Sequence, residues 1–95
     1  MARIRQALDD FDFDQAFFWI KQAAEAGNVD AQIKLGRFYY DGMAVPVDFA
    51  LAHHWYTKAA DEGHPYAMYQ AALMYLSGVG TELNENKAFS LALAS

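Results

Sequence analysis

The stretch that decides the fold is residues 31–63, AQIKLGRFYYDGMAVPVDFALAHHWYTKAADEG. Leu35 and Tyr39 belong to a run of apolar residues at the three- and four-residue spacing that places side chains on one face of a helix. Gly42 follows as the stop signal, because glycine tolerates the left-handed conformation that ends many helices. A short loop then leads to Asp48, a residue type that caps helix N-termini. The stretch therefore predicts two helices joined by a turn.

The same pattern recurs along the chain at an interval of 36 residues. Sliding the sequence by that interval superimposes tryptophan, glycine and small residues in one register, namely Trp19 on Trp55, Gly27 on Gly63, Ala31 on Ala67, Tyr39 on Tyr75 and Gly42 on Gly78. A fixed period of this length is typical of helical repeat proteins. The pattern predicts helices at about 12–26, 29–41, 48–62, 65–77 and 84–95, with a short extra helix over Met1 to Leu8 that covers the N-terminal end.

The predicted fold class is all-α, a right-handed α-α superhelix (solenoid) of about two and a half helix-turn-helix repeats. We expect a single domain over 1–95: an N-terminal extension at 1–11, the second half of a repeat at 12–30, a complete repeat at 31–66 and an incomplete one at 67–95. The large aromatic residues at repeated positions are predicted to fill the core, namely Trp19, Trp55, Tyr39 and Tyr75.

The last predicted helix, 84–95, has an apolar stripe that includes Ala88, Leu91 and Ala92. Solenoids normally need a polar terminal unit for solubility. We therefore expect that the chain is a fragment of a longer array, or that it associates with itself through residues 84–95.

Twelve positions of the deciding stretch resemble one family of repeats: Leu35, Gly36, Tyr39, Gly42, Val45, Asp48, Ala52, Trp55, Lys58, Ala59, Ala60 and Gly63. The chain resembles the Sel-one-like repeat family, a relative of the tetratricopeptide repeat, over roughly 12–95. It departs from the pattern at Ala44, where a glycine is expected, at Ala71-Ala72, which replaces Leu-Gly, and at Leu91, which stands in the tryptophan position. The resemblance implies an adaptor or scaffold, similar to parts of protein quality-control complexes and to many bacterial signalling or host-interaction proteins.

Composition excludes several function classes. The net charge is −5 and only seven basic residues are scattered along the chain, so neither nucleic acid nor an anionic membrane is expected as the ligand. There is no cysteine, which excludes disulfides and thiolate zinc sites. The N-terminus turns acidic where a secretory signal would be apolar. A cytoplasmic location is favoured, while a periplasmic or secreted parent stays open if the chain is a fragment.

No metal, cofactor or catalytic site is predicted. His53 and His54 are adjacent on a helix and point about 100° apart, and His64 lies at a helix start, so the three do not converge on a metal. The acidic run from Asp9 to Asp14 lacks the glycine and glutamate of a calcium loop and suits the positive end of a helix dipole. Residues 77–81, SGVGT, lack the lysine of a phosphate loop. A hydrolase is therefore only a remote alternative.

The candidate binding surface is the concave groove that the first helices of stacked repeats commonly present. Helical spacing assigns to it residues of two successive first helices: Ile33, Lys34, Arg37, Tyr40 and Asp41, and then Tyr69, Gln70, Leu73 and Leu76. Aromatic, apolar and arginine side chains together are typical of protein-binding hot spots, and arginine can grip a carboxylate with two hydrogen bonds. Two alternatives stay open: the apolar members pack between repeats, or the whole chain is an architectural spacer without a ligand.

Overall fold

The computed structural model describes residues 13–94. In this part of the chain it contains five helices: α1 (Phe13–Glu25), α2 (Val29–Asp41), α3 (Phe49–Asp61), α4 (Pro65–Ser77) and α5 (Glu85–Ala94). Each helix packs against the next one along the chain, which confirms the all-α repeat architecture. The helix predicted over Met1 to Leu8 lies outside the described residues, and so do residues 9–12 of the acidic run. None of the five helices is long and apolar enough to cross a membrane.

Side-chain caps explain why three of the helices begin where they do. Asn28, Asp48 and Asn84 each accept a hydrogen bond through Oδ1 from the backbone N–H three residues further on, at 2.9, 3.0 and 3.0 Å. These bonds satisfy amide groups that would otherwise lack a partner in the first turn. α4 starts differently, with Pro65 at the first helical position, where its missing N–H costs nothing. The sequence predicted the cap at Asp48.

The loops after α2 and α4 follow the same path with different residues. Gly80 has φ +73°, and a Cβ there would collide with the carbonyl group of Phe49, so the loop after α4 depends on glycine at this position. The equivalent residue one repeat earlier is Ala44, which has φ +65°. An L-residue with a side chain is strained in this left-handed region. The missing loop glycine noted in the sequence is therefore a point of backbone strain.

The core forms two clusters of buried side chains. In the first, Leu35 of α2 is fully buried against Trp55 of α3 and Ala24 of α1. In the second, Tyr56 of α3 packs with Ile33 of α2 and with the face of α4 that presents Ala67, Ala71 and Met74. Because Leu35 and Ile33 contact different neighbours, α2 links the two clusters into one continuous core.

Gly36 allows α2 and α3 to approach closely. A Cβ at Gly36 would lie 3.3 Å from three carbon atoms of the Tyr56 ring, slightly closer than the usual carbon–carbon contact of about 3.5–4.0 Å. The phenol of Tyr56 is only 2% exposed, and this burial raises its pKa above the usual range. The small residue that the sequence placed at this position therefore makes room for an aromatic ring.

The prediction that Trp19 lies in the core is wrong, since its side chain is 62% exposed. Trp55, the equivalent residue one repeat later, is 8% exposed because Ala31 and Leu35 of the preceding helix α2 cover it. The matching helix ahead of α1 would fall before the described residues. Trp19 instead contacts Phe18 edge to face, with ring centroids 5.3 Å apart. Trp55 is buried in the core, as predicted, and Tyr39 is half-buried against both core clusters. Tyr75 is half-buried too, but it packs against His53 instead of filling either cluster.

Candidate protein-binding furrow between α2 and α4

The first helices of the two successive repeats, α2 and α4, lie side by side and leave a furrow between them. One depression, of about 390 Å³, is lined by Ile33, Lys34 and Arg37 together with Asp30, His64 and Tyr66. A second, of about 170 Å³, is lined by Tyr40, Gln70, Leu73, Met74, Ser77 and Val79. We call these two depressions together the furrow. It brings together residues 36 apart in sequence because the repeat stacks equivalent helices.

The end of the furrow near the start of both helices is basic. Lys34 and Arg37 are exposed, and among the described residues neither has a carboxylate within ion-pair distance. The carboxylate of Asp30 lies instead beside His64, with its Oδ1 3.9 Å from His64 Nε2. His64 Nδ1 is buried without a hydrogen-bond partner in the described part of the chain. This end can therefore donate hydrogen bonds to an anionic group, and the arginine can do so with two parallel N–H groups.

The other end of the furrow combines aromatic and apolar side chains with the polar side chains of Gln70 and Ser77. Tyr40 is 39% exposed and contacts Phe49 edge to face at 5.1 Å between ring centroids. Leu73, which is 38% exposed, lines the furrow and also borders a separate apolar depression between α4 and α5. Tyr69 and Leu76 line this α4–α5 depression and not the furrow. Exposed apolar side chains clustered in this way mark surfaces that associate with other molecules.

Most of the predicted groove residues lie on accessible surface, but three are not part of the furrow surface: Ile33 is buried, and Tyr69 and Leu76 line the depression between α4 and α5. Ile33 is only 8% exposed and packs in the second core cluster with Tyr56 and α4, so it supports the furrow from below. Asp41 is exposed at the end of α2, and Gln70 is half-buried and donates to the Tyr66 hydroxyl at 3.2 Å. Sequence reasoning missed Tyr66 and His64, although Pro65 fixes the first turn of α4 between them.

The outer face of α3 carries the two adjacent histidines. The His53 ring packs edge to face on Tyr75 of α4 at 4.7 Å, and its Nε2 lies 3.3 Å from Thr57 Oγ1. Burial lowers the pKa of His53, and the nearby Lys87 lowers it further. Within residues 13–94 no three histidine or acidic side chains come together to hold a metal ion.

Comparison with known proteins identifies the repeat. The sequence model of the Sel1 repeat matches residues 12–28, 29–64 and 65–94. The chain is 38% identical, over 68 residues, to the ERAD-associated E3 ubiquitin-protein ligase component HRD3A of Arabidopsis thaliana. The aligned region covers 70% of this chain and 10% of HRD3A.

Two solved structures have the same architecture. A Sel1 repeat protein from Oxalobacter formigenes superimposes with a TM-score of 0.84 at 31% identity. The superposition covers 85% of this chain and 33% of the Oxalobacter chain. A protective antigen of uropathogenic Escherichia coli superimposes with a TM-score of 0.80 at 39% identity. The superposition covers 86% of this chain and 18% of the antigen chain. The chain thus spans a third or less of each of these relatives.

Proposed function

Since the chain belongs to the Sel1 repeat family, we propose that it is a noncatalytic adaptor module that holds a peptide or partner segment in the furrow. The observation that carries the proposal is that Lys34 and Arg37, which among the described residues have no carboxylate within ion-pair distance, line one furrow with the exposed apolar side chains of Tyr40 and Leu73. An anionic group and an apolar side chain of one partner segment could be held there together.

Arg37 is the proposed polar anchor. Its guanidinium can grip a partner carboxylate with two parallel hydrogen bonds, which a lysine ammonium cannot reproduce. We expect Arg37→Lys to weaken binding although the charge is kept, and we expect added salt to weaken the wild-type complex because the basic end is exposed to solvent. Loss of binding only on Arg37→Ala, with full retention in Arg37→Lys, would reduce the role of Arg37 to that of a point charge.

The experiment is affinity capture from native cell extract with this chain and with the Arg37→Ala, Tyr40→Ala double variant, both of whose positions line the furrow. A matched control removes one cation and one exposed apolar side chain elsewhere, Lys58→Ala with Leu83→Ala. A protein retained by the wild type and the control, and lost by the furrow variant, would support the adaptor. Equal retention by all three would place binding elsewhere, and no retention would favour the alternative of an architectural spacer.

The relatives suggest the setting. HRD3A is a component of a ubiquitin-protein ligase, and by analogy we propose that this chain works inside a multiprotein assembly. A cytoplasmic location stays a prediction of the sequence. No observation on the described residues favours the hydrolase alternative.

Self-association through residues 84–95 is a second proposal, and it has its own observation. On α5, Phe89 is 63% exposed and Leu93 is 86% exposed. Such side chains on one helix lose unfavourable hydration when a second surface covers them. Sedimentation analysis over a range of concentrations tests this, and a chain that stays monomeric at high concentration would count against it.

A further inference from the structure

Tyr75 of α4 contacts one side chain of α3 and one side chain of α5. The imidazole of His53 packs edge to face with the Tyr75 ring, with ring centroids 4.7 Å apart. Lys87 of α5 places its Nζ 5.5 Å from the centroid of the same ring. The backbone carbonyl of Tyr75 also accepts a hydrogen bond from the N–H of Asn84 at 2.8 Å, and Asn84 caps α5. We call the side chains of His53, Tyr75 and Lys87 the joint, since they connect three helices.

The same three positions one repeat earlier carry two aromatic rings and an aliphatic side chain. At an interval of 36 residues they are Phe17, Tyr39 and Leu51. Phe17 and Tyr39 make the same edge-to-face contact, with centroids 5.8 Å apart and an angle of 87° between the rings, compared with 86° in the joint. The arrangement of the rings is therefore repeated, while an imidazole replaces a phenyl ring and an ammonium group replaces an aliphatic side chain.

A proton on His53 would meet other basic groups and no acidic one. Burial lowers the pKa of His53, and Lys87 of α5 and the neighbouring His54 lower it further. From α4 the neighbour of the imidazole is the Tyr75 ring, and on its own helix Thr57 Oγ1 lies 3.3 Å from its Nε2. Among the described residues no carboxylate lies within ion-pair distance of His53. The charged imidazole is therefore disfavoured as long as the joint is closed.

We propose that the joint is a pH-sensitive hinge, in which protonation of His53 loosens the docking of α5 while α1 to α4 stay folded. In the described part of the chain α5 packs mainly against α4, so it can open without breaking the contacts among the other helices. In repeat arrays each unit is held by its nearest neighbours, and local opening of this kind costs less than global unfolding. The equivalent contact one repeat earlier, where Phe17 replaces the histidine, has no such proton to bind.

The direction of the response follows from the proton balance. The pKa of His53 in the docked state lies below its ordinary value of 6.5, so the opened form binds the proton more readily. Opening is therefore favoured as the pH falls below about 6.5, by at most about tenfold per pH unit for one proton. Well above that pH the imidazole is neutral in both forms, and the proton no longer affects the docking of α5.

Hydrogen exchange measured by NMR at about pH 7.5 and about pH 5.5 tests the proposal, with results expressed as protection factors, which remove the pH dependence of the exchange chemistry. We expect the amides of α5 to lose protection several-fold at the lower pH while those of α2 and α3 keep theirs. His53→Phe copies the earlier repeat and should remove most of this loss. Lys87→Leu copies it at the second position and should make the loss smaller. The matched control His64→Asn removes a histidine outside the joint and should leave the loss unchanged.

Three results would overturn the proposal: an equal loss of α5 protection in His53→Phe and the wild type, a loss spread evenly over all five helices, or an unchanged loss in Lys87→Leu. Circular dichroism at the higher pH checks that each variant folds. Lys87 is exposed, so its replacement spares the fold and keeps the test valid even if His53→Phe disturbs α3. The readout needs no partner, so its outcome is independent of whether the furrow captures one.

Discussion

Replacing Gly36 by alanine is expected to destabilise the protein by about 1 kcal/mol, although alanine is the better helix former. Helix propensity alone would stabilise α2 by about 1 kcal/mol. The added Cβ would lie 3.3 Å from three carbons of the Tyr56 ring, and that ring is 2% exposed and cannot move into solvent. Overpacking a well-filled core costs about 1–3 kcal/mol, so the steric cost exceeds the gain in propensity.

The sign should reverse when the ring is removed. In a Tyr56→Ala background, Gly36→Ala should stabilise the chain by about 1 kcal/mol, because the pair then copies Ala72 and Ala92 of the next repeat. Urea unfolding followed by far-ultraviolet circular dichroism gives the free energy of unfolding for all four proteins of the double-mutant cycle. If Gly36→Ala stabilised both backgrounds equally, the close approach of Gly36 and Tyr56 would not limit the packing of α2 on α3.

Four further changes have expected outcomes that urea or thermal unfolding can check. Leu35→Ala should cost about 3–5 kcal/mol, because the side chain is fully buried; a loss below about 1 kcal/mol would contradict the core assignment. Asp48→Ala should cost about 1 kcal/mol by removing the cap of α3, and an unchanged midpoint would mean that the cap bond is not formed in solution. Ala44→Gly should stabilise the chain by up to about 1 kcal/mol by relieving the positive φ, whereas a loss would show that the loop tolerates alanine. Burial and Lys87 lower the pKa of His53 in the folded state below its ordinary value of 6.5. The unfolded state therefore binds the proton more readily, and the free energy of unfolding should fall as the pH drops below about 6.5. His53→Gln should reduce this pH dependence of stability, and an equal pH dependence in both proteins would refute the assignment.

The sequence predicted the fold well because the features that determine it are local or periodic. Caps such as Asn28 and Asp48 and stop residues such as Gly42 act within a few residues of the helix ends they define. The interval of 36 residues then fixes which helices are equivalent. These signals do not depend on how the helices cross, and they correctly gave all five helices of the described part.

Burial was harder to predict where it depends on a neighbouring helix. Trp19 and Trp55 are equivalent in sequence, yet one is exposed and the other buried, because only Trp55 has α2 packed over it. Ile33 and Arg37 are one helical turn apart and were both assigned to the groove. The path of α4 over α2 covers Ile33 and leaves Arg37 open, and no property of the two positions alone specifies that path.

The apolar depression between α4 and α5 illustrates the same limit. The exchange of Tyr56 for Ala92 can be read from the sequence once the interval is known. Whether the exchange leaves a hole or lets the helices move closer depends on the backbone, because surrounding structure relaxes only partly when a large side chain is absent. The structure leaves an apolar depression there, lined in part by Ala72 and Ala92.

The measurement that tests the adaptor most directly is chemical-shift mapping by NMR of this chain with and without its captured partner segment. The account predicts the largest shifts in the furrow, around Lys34 and Arg37 on α2 and around Leu73 on α4. Shifts confined to the outer face of α3, around His54 and Lys58, would contradict it.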